Sequence, residues 1–333
     1  MRRFVAFLSG KCYSNTINLY IGGISVIYTV TLNPAVDYVV ALDAFAAGTV
    51  NRAQSEAIVF GGKGINVSLM LKALNTGSTA LGFIAGFTGE AIRAGIEAQG
   101  VRCDFVTLES GFSRINVKLH AGEETEINGM GPEIPQEKQQ LFFEKLNALT
   151  AADTLVLSGS APRGLPQDLY ARIAQCAAER GARLVVDASG ALLTSTLPYR
   201  PFLIKPNREE LSALFHVPAD TDEAVLALVK RLQAQGAQHV LVSMAGDGAL
   251  LCTAEGAVYR APAAKGTVVN SVGAGDSMVG GFLAGWEKTG DFAEALALGT
   301  AAGGATAFSV GMAGFQKVMA IYDAVKAGIE RIG

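Results

Sequence analysis

The sequence predicts an α/β protein built on a central, mostly parallel sheet. From Val26 onward, short apolar runs rich in β-branched residues are each followed by a Gly-, Asn- or Ser-rich loop and then by an amphipathic stretch. The runs are continuously apolar rather than alternating, which suits strands covered on both faces and joined by crossover helices. The chain can also support a large core: 333 residues, 50% hydrophobic and 17% charged, exclude a disordered chain.

In chain order, residues 1–25 begin Met-Arg-Arg and carry a short apolar run at 4–8, which Lys11, Asn15 and Asn18 interrupt. That run is too short for the apolar region of a signal peptide, and no stretch reaches membrane-spanning length. An N-terminal extension without order is expected there, ahead of one domain over 26–333. Buried strands are expected at 26–32, 81–84, 154–158, 183–187, 202–205 and 239–243. Two segments break the rhythm. Residues 37–60, and 113–128 with the alternation SRINVKLHAGEETEIN, read as half-exposed antiparallel strands, with Ala121-Gly122-Glu123 as a hairpin turn. Pairing with one another they would form a small flap beside the domain; two ordinary surface hairpins would leave the same trace.

A net charge of -3 and a pI near 5.7 leave no basic surplus for a nucleic-acid backbone or an anionic membrane, so neither is expected as a partner. Cys12, Cys103, Cys176 and Cys252 show no C-x-x-C spacing and read as reduced thiols of a cytoplasmic protein. His120, His216 and His239 are scattered, without the i,i+4 pairing of a helical metal site, and read as structural or surface residues.

In open parallel sheets, ligands bind beyond the carboxyl ends of the strands, where loops and helix N-termini converge. Polar and glycine-rich residues fall at those ends: Asn33 to Asp37, Gly159-Ser160, Pro206-Asn207 and Gly246-Asp247-Gly248. The strongest element is Asn270-Ser271-Val272-Gly273-Ala274-Gly275-Asp276, followed by Met278, Val279, Phe282, Leu283 and Trp286 at helical spacing. Two glycines at a helix start let backbone N–H groups face an anion, and the helix dipole favours one there. Asp276 beside that cradle suits acceptance of a proton from an attacking hydroxyl, and it suits an N-terminal capping acid as well. Phosphoryl transfer, which needs positioning and charge neutralisation more than a powerful base, fits the first role. The chain has no G-x-x-x-x-G-K-[ST], and Met278 stands where the dinucleotide motif needs its third glycine, which disfavours P-loop enzymes and dehydrogenases.

A second element, Gly61-Gly62-Lys63-Gly64-Ile65-Asn66, opens a helix with close backbone approach, a positive charge at Lys63 and a hydroxyl-binding amide at Asn66. In a third, Lys205-Pro206-Asn207-Arg208-Glu209-Glu210, the side chains of Asn207 and Glu210 lie three apart on one helical face. There they suit a hydrated Mg²⁺ or, equally, the capping of a helix start.

Together these motifs resemble the ribokinase-like carbohydrate kinases, the PfkB family, over nearly the whole chain from Val26. The resemblance implies a three-layer sandwich with a small β-sheet lid, drawn from about 37–60 and 113–128, and a homodimer made through that lid. It implies ATP and Mg²⁺, with Asp276 as base and Gly273, Ala274 and Gly275 as the anion hole. Asn207 and Glu210 would act on Mg²⁺ through water. Lys205, Asn207, Ser243, Gly246 and Gly248 would border the nucleotide, and Asn33, Asp37, Gly62, Lys63 and Asn66 the sugar. Within the family, stretches such as TVTLNPAVDYVV, GGKGINVS and VNSVGAGDSMVGGFLAG look most like kinases that phosphorylate D-fructose 1-phosphate at its C6 hydroxyl. Kinases of tagatose 6-phosphate or fructose 6-phosphate are the neighbouring readings. A silent sugar-phosphate sensor would be expected to lack the base or the anion hole, and both are present. Arg114 and Asn116 carry the placement among sugar-phosphate kinases, because the similar kinases of unphosphorylated ribose or nucleosides lack an arginine in that strand. A guanidinium suits a bidentate grip on phosphate, so the resemblance implies that Arg114, helped by Lys63 or Lys118, holds the phosphate that the substrate brings. A solvent-facing strand residue is the plainer role for the same arginine.

Overall fold

The computed structural model describes residues 25–162 and 164–333, so the expected N-terminal extension, apart from Ser25, lies outside the described residues. In chain order the strands are β1 (Ile27–Thr31), β2 (Ala35–Ala41), β3 (Ser55–Gly61), β4 (Ser78–Ala85), β5 (Arg102–Cys103), β6 (Val106–Leu108), β7 (Arg114–Ala121), β8 (Glu123–Asn128), β9 (Thr154–Ser158), β10 (Arg183–Asp187), β11 (Leu203–Ile204), β12 (His239–Ser243), β13 (Ala249–Cys252), β14 (Val258–Ala261) and β15 (Glu330–Arg331). The helices are α1 (Lys63–Ala73), α2 (Gly86–Ala98), α3 (Gln136–Asn147), α4 (Leu169–Glu179), α5 (Gly190–Thr196), α6 (Arg208–Phe215), α7 (Asp222–Ala234), α8 (Ala274–Thr289), α9 (Phe292–Ala307) and α10 (Phe315–Ala327).

The main sheet runs β15-β14-β13-β12-β11-β10-β9-β1-β4-β5, with β6 also paired to β4. Every pairing from β12 across to β5 is parallel, and all six expected runs lie in this part. Beyond β12 the sheet turns antiparallel through β13, β14 and β15, an extension that the sequence pattern does not announce.

Why the sheet is covered twice is visible in single strands. In β9, Leu155 and Leu157 join the core cluster that holds Phe142 of α3, Tyr170 and Ile173 of α4 and Leu228 of α7. Val156 between them faces the other way, into a cluster with Val67 and Leu71 of α1, Val279 and Phe282 of α8 and Leu296 of α9. Leu184, Val186 and Val185 of β10 divide in the same manner. Successive side chains of a strand alternate between faces, so a continuously apolar run needs a helix layer on each. The result is the three-layer sandwich. His239, at the start of β12, belongs to its packing: the imidazole Nδ1 accepts the Ala254 N–H at 3.1 Å, and the ring sits among Phe202 and Phe292.

The segments that break the rhythm form a separate four-stranded sheet ordered β3-β2-β7-β8. Each excursion is an antiparallel pair, β2 with β3 and β7 with β8, whereas the joint between them, β2 with β7, is parallel. Gly122, at φ 81, supplies the left-handed turn between β7 and β8. Register assigns the two faces. One carries Phe60, Val36 and Ile115 in a row, which packs in a cluster with Ile92 and Ile96 of α2, and beyond it the row Ile58, Tyr38, Val117 and Ile127. The other carries Val59, Asp37, Asn116 and Asn128.

Candidate active site

The carboxyl ends of β1, β9, β10, β11 and β12 open on one edge of the main sheet, and the lid sheet rises beside it from the end of β1. Helix α1 is pinned there. The Ile65 N–H donates to Thr31 Oγ1 at 3.0 Å, and Gly64 lies so close to β1 that a Cβ on it would stand 2.8 Å from the Val30 carbonyl carbon. Only glycine permits that approach, which sets Lys63 and Asn66 at the edge.

Asn66 reaches the far side of the site, where its Nδ2 donates to Asp276 Oδ2 at 2.8 Å. Asp276 stands in the first turn of α8 behind Gly273, whose φ of 79 makes the turn into the helix, and it is 5% exposed. Ala274 N–H turns back to the Ser271 carbonyl and Ser277 N–H to the Gly273 carbonyl. Helix geometry leaves the N–H groups of Gly275 and Asp276 without intrahelical acceptors, which makes the tip an anion cradle. The N-cap residue, Gly273, has no side chain with which to cap the helix, and Asp276 is the acid of the first turn, its carboxylate accepting from Asn66. Burial, reinforced by the charge of Asp187, pushes the Asp276 carboxyl up to about 6, against the opposing effects of Lys63, Asn66 and Lys205.

Lys205 follows β11 and lies under the cradle: a Cβ on Gly275 would stand 3.2 Å from its Nζ. The same Nζ is 3.2 Å from Oδ1 of Asp187, and Lys63 Nζ is 3.4 Å from Oδ2. Burial opposes the charge on Asp187, but the two lysines outweigh it and hold the carboxyl below its usual range. Burial likewise opposes the charge on Lys63, and Asp187, Asp276 and Glu210 overcome it and keep the ammonium protonated.

Next to Lys63 lies a cavity of about 290 Å³, lined also by Asn33, Gly62, Arg114, Ser158, Ser160 and Ser189. Arg114 Nε donates to the Asn33 carbonyl at 3.1 Å, and Asn33 Nδ2 donates to the Met130 carbonyl at 3.0 Å. Asn33 Oδ1 and Ser158 Oγ are buried with no hydrogen-bond partner among the described residues. Orphaned oxygens of this kind cost about 1–3 kcal/mol each, which a ligand hydroxyl would relieve. Asp37 and Asn116 are placed on the lid beside this cavity, not in its lining. They satisfy one another at 2.7 Å, with Asn116 Oδ1 also accepting the Gly129 N–H. Lys118 is held by Asp37 and Glu126 at 3.6 and 3.2 Å, which occupies it away from the cavity.

At the start of α6 both readings of Asn207 and Glu210 meet. They form a capping box, with Glu210 N–H to Asn207 Oδ1 at 2.7 Å and Asn207 N–H to Glu210 Oε2 at 2.8 Å. Each oxygen keeps lone-pair capacity, and Glu210 contributes to the field at Lys63. Among the described residues no three His, Cys, Asp or Glu side chains gather as a metal cluster. One amide and one carboxylate fit an octahedral cation that keeps waters and takes phosphate oxygens, rather than a cation caged by protein. Asn207 is bridged to Ser243, at the end of β12, and the turn after it holds Gly246, with open space above its Cα, and Gly248 at φ 87.

The sequence-derived set therefore converges in three groups: Asn66 with Asp276 and the α8 glycines, Asn33 with Gly62, Lys63 and Arg114, and Asn207 with Glu210 and Ser243. Asp187, Ser158 and Ser189 are missing from it, and Ser160 figures in the sequence only as part of the loop after β9. Ser158 had a signal, since it closes a wholly buried run with a polar group at the ligand edge.

Known proteins resemble the chain in sequence and in fold. The family model "pfkB family carbohydrate kinase" matches residues 30–317. The 1-phosphofructokinase of Bacillus subtilis is 49% identical over 283 residues, 85% of this chain and 93% of that protein. The D-tagatose-1-phosphate kinase of Bacillus licheniformis is 40% identical over 293 residues, 88% of this chain and 96% of that one. A crystal structure of Escherichia coli phosphofructokinase-2 with fructose-6-phosphate superposes with a TM-score of 0.84 at 26% identity, over 91% of this chain and 99% of the other.

Proposed function

The chain belongs to the pfkB family of carbohydrate kinases, and from that premise we propose how its site carries the reaction. The chain is an ATP-dependent sugar-phosphate kinase, which phosphorylates D-fructose 1-phosphate on the C6 hydroxyl to give fructose 1,6-bisphosphate and ADP. One observation carries the assignment of roles: a buried Asp276, oriented by Asn66 and set against an anion cradle with Lys205 beneath it.

The C6 oxygen attacks the γ-phosphorus as its proton passes to the Asp276 carboxylate, and the bond to the β–γ bridging oxygen breaks to release ADP. The cradle N–H groups and Lys205 hold the transferring group's charge in place during that exchange. Asn207 and Glu210 would hold Mg²⁺ through water, and the cation would neutralise the nucleotide phosphates. Arg114 and Lys63 grip the C1 phosphate in the cavity, while Asn33, Ser158, Gly62 and Asn66 meet the ring hydroxyls. A fructofuranose carries an exocyclic CH₂O group at each end, so gripping one phosphate presents the opposite hydroxyl to Asp276.

The test is ADP release with fructose 1-phosphate, fructose 6-phosphate, tagatose 1-phosphate and tagatose 6-phosphate side by side. The highest kcat/KM is expected with fructose 1-phosphate, and none without Mg²⁺. A preference for tagatose 1-phosphate, the C4 epimer taken by the Bacillus licheniformis relative, would keep the grip and change the ring contacts. A preference for a 6-phosphate would reverse the sugar.

The working unit in this reading is a homodimer made through the lid. The outer row of the lid sheet leaves Ile58 63% and Ile127 60% exposed across the face continuous with the covered Phe60 row, an apolar strip that a second lid would bury. Sedimentation equilibrium is expected to give a dimer, and Ile58→Lys with Ile127→Lys a monomer; a dimer that survives both changes is held elsewhere. Among the described residues no helix is long and apolar enough to cross a membrane. A reducing cytoplasm suits the free thiols of Cys103, Cys176 and Cys252.

A further inference from the structure

Asp187 is 1% exposed, and each of its oxygens takes a different lysine: Oδ1 is 3.2 Å from Lys205 Nζ and Oδ2 is 3.4 Å from Lys63 Nζ. The three residues come from separate elements, the end of β10, the residue after β11 and the first residue of α1. Each lysine also belongs to a different part of the site. Lys205 lies against Gly275 of the phosphoryl cradle, and Lys63 lines the cavity with Arg114.

A lysine is a point charge on a flexible stem, with several rotamers to lose when it is fixed. Two such charges converging on one site also repel, and burial at Lys205, 5% exposed, removes the water that would screen them. A carboxylate between them answers both problems. It restrains the stems through charge-assisted hydrogen bonds and offsets the repulsion, so that both ammoniums are in place before any phosphate arrives.

We propose that Asp187 is a positioning residue that clamps Lys205 at the phosphoryl cradle and Lys63 at the sugar-phosphate cavity, fixing one cation on each side of the transfer. With a lysine on each oxygen, it serves the reaction through the lysines and not as a ligand to the nucleotide's metal. The proposal rests on the kinase reading given above.

A double-mutant cycle on the full chain tests it, with Asp187→Asn made in the native background and in K63M/K205M. D187N alone is expected to lower kcat at least about thirtyfold, the scale of losing preorganised electrostatic stabilisation. In K63M/K205M the same change is expected to cost less than about threefold, because the partners through which Asp187 acts are gone. Equal losses in both backgrounds would overturn the proposal, as would a D187N chain with near-native kcat. If the loss is equal and the Mg²⁺ concentration for half-maximal rate rises with it, the carboxylate acts on the metal. Should D187N fail to fold while K63M/K205M/D187N folds, the unbalanced lysines are the cause and the clamp is supported. Failure of both chains to fold would assign Asp187 to the fold alone and sink the idea. Turnover of fructose 1-phosphate by the native protein tests the functional reading separately; if another ketose phosphate is the substrate, the cycle is run on that one.

Discussion

Asp276→Ala is expected to lower kcat by about 10³-fold, within the range that positioned acid–base groups contribute, while leaving the fold and ATP binding in place. The aspartate contacts the reacting hydroxyl only as its proton leaves, so its loss removes a transition-state interaction rather than uniform binding. Its ionisation sets the acid side of the pH profile. With the carboxyl pushed up to about 6 by burial and by Asp187, kcat/KM is expected to fall below pH ~6 as the base is protonated, a limb that the alanine variant lacks. Stability moves in the opposite sense. A carboxyl whose pKa is raised in the folded state binds its proton more tightly there than in the unfolded chain, so its contribution is fully present below the unfolded value of 3.8 and is lost as pH rises through about 6. At pH 7.5 Asp276→Asn is therefore expected to melt above the native protein, with the difference shrinking toward pH 4. Purified variants, steady-state rates and melting curves against pH read out both effects. Retention of more than about a tenth of the native kcat would remove Asp276 from the role of base.

The strands at 154–158, 183–187 and 239–243 stand in the fold where the sequence pattern puts them, because each is an apolar run buried on both faces and such a run has no other home in a domain of this size. The antiparallel extension escaped for the converse reason. Ala249–Cys252 is four residues long, and Glu330–Arg331 is two exposed residues whose strand character comes only from Val258 to Ala261 beside them. The parallel joint of β2 with β7 was equally out of reach, since it unites segments 79 residues apart, as Asn116 and Asp37 show, and no local signal encodes that pairing.

In the site, glycine motifs were legible because backbone approach demands glycine locally, as at Gly64 and Gly273. Asn207 and Glu210 were legible as a pair but not as a choice between capping and cation binding; the capping box answers the first without consuming every lone pair. Asp187 was invisible as a functional group. A single acid closing a strand carries no spacing, and its meaning arises only when α1 and β11 bring Lys63 and Lys205 to its two oxygens.

Arg114→Ala is expected to weaken the binding of the sugar phosphate by about 1.5–3 kcal/mol, roughly 10- to 150-fold in Kd, with a smaller loss of kcat at saturation. The arginine is fixed by its Nε on the Asn33 carbonyl, which orients the planar fork at the wall of the cavity before the ligand arrives. Burial draws its proton affinity down, but Asp37 and Glu126 oppose that, and a guanidinium stays charged in any case. Arg114→Lys should recover only part of the loss, because an ammonium cannot reproduce two parallel N–H bonds to one phosphate. Unphosphorylated fructose provides the discriminating control. If Arg114 grips the phosphate, the weak binding of fructose is insensitive to the substitution while that of fructose 1-phosphate collapses. If calorimetry finds fructose 1-phosphate bound equally by both proteins, the grip lies with Lys63 and the serines of the cavity wall, and Arg114 is left as the strut that holds Asn33 and the root of the lid.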